Sequence, residues 1–125
     1  MAVKSYRDLE VWQKSMDLTV DCYRITGQFP KSETYGLASQ LQRAAVSIPS
    51  NIAEGATRQH TTEFIQFLSV ASASLAELET QIEIASRLEY VDSKKAQAIF
   101  ERTKELGRML SGLIRVLREK KNASQ

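Results

Sequence analysis

Apolar residues in this chain recur at alternating intervals of three and four, and no long stretch alternates every second residue. The first spacing lays one stripe along an α-helix, whereas a strand needs the second. In segment one Leu9, Trp12, Met16, Thr19, Tyr23 and Thr26 follow the pattern. Segment two is less regular, but Leu37, Leu41, Ala44, Ile48 and Ile52 share a face. Segment three carries Phe64, Leu68, Ala71, Leu75, Leu78, Ile82 and Ala85. Segment four carries Ala96, Ile99, Thr103, Leu106, Leu110, Leu113 and Leu117. Five Gly and two Pro are too few for the turns of a many-stranded sheet. The spacing predicts an all-α, up-and-down four-helix bundle, one domain over 1–125, with helices at about 7–27, 33–57, 61–89 and 93–121. Trp12, Met16, Leu68, Leu75, Leu110 and Leu113 are its expected core.

The breaks carry local signals. Gly27-Gln28-Phe29-Pro30 ends segment one, and Ser32 with acidic Glu33 reads as the start of the next helix. Asp92 or Ser93 can cap segment four. Pro49 lies within segment two and has no N–H to offer the carbonyl four residues back. The helix is expected to continue with a kink there, Ser47 and Ser50 bonding to the freed carbonyls.

Charge is distributed unevenly. The whole chain sums to +2. Residues 60–89 hold one basic and five acidic groups, net −4; residues 90–125 hold nine and four, net +5. Residues 34–42, 44–53 and 64–76 hold none. A helix on the outside of a monomeric bundle normally shows charge on its wet face every turn or so, so these runs point to self-association. The longest of them falls short of the roughly 20 residues that a membrane span needs. The start Met1-Ala2-Val3-Lys4-Ser5 opens into no apolar signal core, and a cytoplasmic protein is expected.

Little in the sequence supports catalysis. His60 is the only histidine, and its His-x-x-Glu spacing with Glu63 is not the Glu-x-x-His of a di-iron bundle, so no metal is expected. Glu77, Glu79 and Glu83 read as solvated charge rather than an acid–base pair. Cys22, the single cysteine, excludes an intrachain disulfide and lacks a nearby base. No glycine-rich phosphate loop is present. A non-enzymatic protein without cofactor is expected.

Two polar constellations remain. Lys104, Arg108, Arg115 and Arg118 fall on one stripe with Ser111, opposite the leucine seam, and Lys120 and Lys121 extend it. Such a strip can face phosphates, or can simply suit a helix C-terminus. Arg43, Ser47, Asn51, Glu54 and Arg58 line one side of segment two. They suit either an interhelix or intersubunit network that fixes register, or a ligand-facing patch.

Several motifs, in order, resemble one family. They begin with Tyr6-Arg7-Asp8-Leu9-Glu10-Val11-Trp12-Gln13-Lys14, then Phe29-Pro30 and Glu33-Thr34-Tyr35-Gly36-Leu37. The strongest is Arg43-Ala44-Ala45-Val46-Ser47-Ile48-Pro49-Ser50-Asn51-Ile52-Ala53-Glu54-Gly55 with Arg58. Glu63-Phe64, Phe67-Leu68 and Ser74-Leu75-Ala76-Glu77-Leu78-Glu79-Thr80 follow. The chain resembles the four-helix-bundle proteins encoded in bacterial 23S rRNA intervening sequences. That resemblance implies a ring-shaped homopentamer. It also implies kinship with accessory proteins of diversity-generating retroelements, which act with a reverse transcriptase and nucleic acid. The function expected is a homopentameric accessory protein associated with nucleic acid, RNA before DNA. A protein-interaction scaffold is the alternative.

Overall fold

The structure is a computed structural model, described here for residues 5–123. The Met1-Ala2-Val3-Lys4 start and the last two residues of the polar tail lie outside the described residues. Four α-helices follow one another: α1 (Glu10–Thr26), α2 (Leu37–Ala56), α3 (Thr61–Arg87) and α4 (Ser93–Ala123). No strand occurs among the described residues. Connections are short, so neighbouring helices run antiparallel. Each helix packs on the next, and α1 closes the bundle against α4.

Local chemistry sets the helix ends. Asp92 caps α4, its Oδ1 accepting from the Lys95 N–H at 2.9 Å. The start of α2 differs from expectation. Lys31–Glu33 forms only a 3-10 turn, and the helix begins at Leu37 after Gly36. Ser32 caps nothing. The Glu33 carboxylate does the work from four residues back, accepting from the Leu37 N–H at 3.2 Å. Its other oxygen accepts from the Tyr90 hydroxyl at 3.0 Å, tying the start of α2 to the α3–α4 connection. This bond holds the Tyr90 phenol above its ordinary pKa, with some desolvation adding to it. At the end of α3, Glu89 takes a left-handed conformation, φ 63°. It lets the Tyr90 N–H reach the Ala85 carbonyl at 2.9 Å and the Glu89 N–H reach Ser86 at 3.0 Å, a Schellman closure.

The seams of α2, α3 and α4 lie where the spacing puts them, with Leu41, Ile48, Ile52, Leu68, Leu78, Ile82, Leu106 and Leu110 fully buried. Leu75 is buried too, and Leu113 half-buried. The seam of α1 is rotated by one residue from the expected one. Val11, Ser15, Leu18, Cys22 and Ile25 face the core, while Met16 and Tyr23 are 39% and 47% exposed and Trp12 is half-buried. The physical reason is that Ser15 and Cys22 can be buried without cost from a missing partner. The Ser15 hydroxyl donates to the Trp12 carbonyl at 2.8 Å within its own helix, and a thiol behaves as a small apolar group.

Helix α2 runs unbroken through Pro49, which is buried. Neither Ser47 nor Ser50 supplies the hydroxyl for the carbonyl that Pro49 leaves free. That carbonyl, of Ala45, accepts from the Thr19 hydroxyl of α1 at 3.0 Å, and the same hydrogen is shared with the Ser15 carbonyl at 2.8 Å. The proline therefore becomes an α1–α2 contact rather than a break.

Candidate nucleic-acid interface

Helix α4 presents its apolar seam inward, which fixes the opposite face to solvent. Lys104, Arg108, Ser111, Arg115 and Arg118 are all exposed there. Lys120 is exposed and Lys121 half-buried. No carboxylate lies within ion-pair distance of Lys104, Arg108, Arg115 or Arg118 among the described residues, although seven ion pairs occur elsewhere. Arg115 and Arg118 border a shallow depression of about 310 Å³ with Ser111, Ile114, Glu119 and Asn122. The arrangement can bind a chain of phosphates electrostatically. It offers no aromatic platform on which bases could stack.

The α2 constellation divides into separate parts. Asn51 Nδ2 donates to the Ser47 carbonyl at 2.7 Å and to Ser47 Oγ at 2.9 Å, and Ser47 Oγ shares a 2.8 Å bond with Ser74 Oγ of α3. Arg58 donates to Glu54 at 2.7 Å, lies 3.7 Å from Glu63, and sits 4.9 Å over the Phe67 ring. These four residues hold α2 to α3 or stay within their own end of it. Arg43 is exposed and joins none of these contacts.

The carboxylates of α3 also have different surroundings. Glu79 accepts from the Thr103 hydroxyl of α4 at 2.7 Å, and Glu83 from Arg87 at 2.8 Å. Glu77 has no such partner and points into a groove with Arg43. His60 is exposed and occupies the cap position of α3 without a side-chain cap bond. Among the described residues no group of three His, Cys, Asp or Glu side chains is placed to hold a metal. Burial pushes the Cys22 thiol up to about 12, so at neutral pH it carries almost no thiolate.

The structure also assembles a cleft that local sequence patterns do not show. Asp21, Arg24, Ile25, Lys95, Ile99 and Arg102 line about 280 Å³ between α1 and α4. Asp21 pairs there with both Arg24 and Arg102. Their separation in the chain, 81 residues for Asp21 and Arg102, leaves no spacing motif to read.

The model of the 23S rRNA-intervening sequence protein family matches residues 7–112, most of the chain. The chain belongs to that family. Its fold is similar to a crystal structure of a protein of unknown function from the S23 ribosomal protein family of Bacteroides thetaiotaomicron. That likeness has a TM-score of 0.78 at 25% identity, over 83% of this chain and 97% of the other. No curated protein matches. No helix among the described residues is long and apolar enough to cross a membrane.

Proposed function

We propose that this family member is a non-enzymatic accessory protein that associates with nucleic acid, RNA first, as a homopentameric ring in the cytoplasm. The observation that carries the reading is the α4 strip. Four cations share one exposed helix face and none is in direct ion-pair contact with a described carboxylate, although Glu119 lies beside Arg115 and Arg118 and Glu105 feels the charge of Arg108. Each subunit contributes a weak, sequence-independent contact, and repetition around an assembly multiplies them.

Self-association is supported by two separate apolar surfaces. One lies on α1 and α2, where Trp12, Met16, Thr19 and Val46 border a groove of about 360 Å³ and Val20 and Tyr23 continue the exposed stripe. The other lies on α3, where Val70, Ile84 and Leu88 are exposed. Two different surfaces suit head-to-tail contacts, which close into rings. The number five comes from the family resemblance alone.

The protein-scaffold reading is favoured by the same α1–α2 groove, which could equally receive a partner's apolar side chains. Replacing Arg108 and Arg115 together by Gln separates the two. The RNA reading expects weaker binding to every RNA sequence alike, with folding changed by no more than about 0.5 kcal/mol. Unchanged affinity in the double variant assigns the strip to the helix dipole and solubility.

A further inference from the structure

The groove between α1 and α2 is walled by Trp12, Met16 and Val46, and none of its lining residues is charged. On α3, Val70, Ala73, Thr80, Ile84 and Leu88 are exposed along one face, and Glu77 is the one charge within that stripe.

Hydrogen bonds fix the heights of the two surfaces. The Thr19 hydroxyl reaches the Ala45 carbonyl at 3.0 Å, so position 19 on α1 is level with 45 on α2. Ser47 and Ser74 share a bond of 2.8 Å, so 47 is level with 74 on α3. Helix α2 runs against both neighbours, which sets 19 level with 76 to within about one turn. Met16 is then level with Ala73, Tyr23 with Thr80, and Val70 stands close to the height of Trp12. Groove and stripe thus run side by side, in the same direction and over the same span of the bundle.

A contact between two different surfaces closes a ring only if it carries no rise along the axis; with a rise it builds an open filament. Equal heights remove the rise. The bundle is square in section: α1 and α3 each touch α2 and α4 but, among the described residues, not one another. The two surfaces therefore lie on adjacent sides, roughly a right angle apart, which is the turn of a small ring. The bordering charges have opposite signs. Arg7 lies 5.4 Å over the Trp12 ring at one end of the groove, and Arg43 is the only charge in residues 37–53. Glu77 stands in the stripe, within a segment of net −4.

We propose that the α3 stripe of one copy seats in the α1–α2 groove of the next, head to tail, with Val70 and Ala73 against Trp12, Met16 and Val46. This contact rests on the self-association reading above and names the surfaces that meet. It turns α2, which stands between the two surfaces, toward the ring axis. Helix α4 is diagonal to α2, so its basic strip lies on the outer wall and stays free for phosphate. Nucleic acid fits the groove itself poorly, because no cation lines it.

The test is cross-linking between copies of the full chain. Met16 and Ala73 are exposed, and the native Cys22 is fully buried. Met16→Cys and Ala73→Cys are made separately, mixed, and treated with a short bismaleimide linker. The linker should join the two variants to each other several-fold more than either to itself. In parallel, Val70→Asp puts an unpaired charge into the contact and should weaken association about tenfold or more in sedimentation equilibrium. Circular dichroism should stay that of the wild type, since the position is exposed in the subunit. If the wild type assembles but the mixed product is absent, the contact is overturned, self-association stands, and the groove returns to a protein partner. An assembly that Val70→Asp leaves intact overturns it equally. Self-linking of either variant that matches the mixed product replaces it by a two-fold contact. A monomeric wild type removes both this contact and the self-association reading.

Discussion

The α2–α3 and α1–α4 pairs solve the same packing problem in opposite ways. Between α2 and α3 the backbones come close. A Cβ placed on Gly55 would sit 2.7 Å from Phe67 Cβ and 3.0 Å from Phe64 Cδ1, so only a hydrogen fits there. The polar groups in that seam are bonded, Asn51 to Ser47 along α2 and Ser47 across to Ser74 of α3. Between α1 and α4 the contact is spanned instead by long side chains that line an open cleft. Lys14 reaches Glu105 at 2.8 Å, Lys95 reaches Gln28 at 3.2 Å, and Arg102 reaches Asp21. Close packing gains dispersion and excludes water, whereas exposed ion pairs lose much of their attraction to solvent and to side-chain ordering. The bundle should therefore be held mainly at α2–α3 and yield first at α1–α4.

The largest expected effect lies on the tight side. Leu68→Ala empties a fully buried site on α3 and should cost about 2–5 kcal/mol in denaturant unfolding; a loss within a few tenths would show that the site is not core. Gly55→Ala should cost about 1–3 kcal/mol, because the new methyl must push two phenylalanines of α3 away. If this variant were as stable as wild type, the close approach would not be a stabilising feature. On the open side Asp21→Asn, at a side chain 37% exposed, should cost only about 0.2–1 kcal/mol. A cost equal to that of Gly55→Ala would reverse the ranking of the two seams.

The smallest effect is one of pH. The Lys14 hydrogen bond and charge hold the Glu105 carboxyl below its ordinary pKa, and the same bond holds Lys14 above its own. The carboxylate's share of stability is present above the unfolded-state value and lost as pH falls through the lowered one. The ammonium's share is complete below the ordinary lysine pKa and lost as pH rises through the raised one. The melting temperature of wild type over Glu105→Gln should show a small advantage at neutral pH that vanishes on acidification. An advantage that persists once the carboxylate is protonated would rule out the ion pair as its source.

The same contrast explains what the sequence reveals. The seams of α2, α3 and α4 are legible because each has one dominant apolar stripe. In α1 two stripes compete, and the one with Trp12, Met16 and Tyr23 is richer in large side chains than the one with Ser15 and Cys22 that the core takes. Nothing local reveals that Ser15 satisfies its hydroxyl within its own helix. The α4 strip is visible by the same periodic argument as its seam. The Thr19–Ala45 bond that accommodates Pro49 joins residues 26 apart, and the α1–α4 cleft joins residues farther apart still. Helical periodicity places residues on faces, but it does not say which faces meet.

The α4 strip as a phosphate contact is the central functional claim, and a salt titration of wild-type binding to a fluorescent single-stranded RNA tests it most directly. Each engaged cation should release counterions, so log affinity should fall with log salt by about 0.7 per contact. With several strip cations engaged, the slope should be steep, about −3 or beyond. A slope near zero, or no measurable binding at low salt, would contradict the claim and leave the α1–α2 groove and its protein partner as the function.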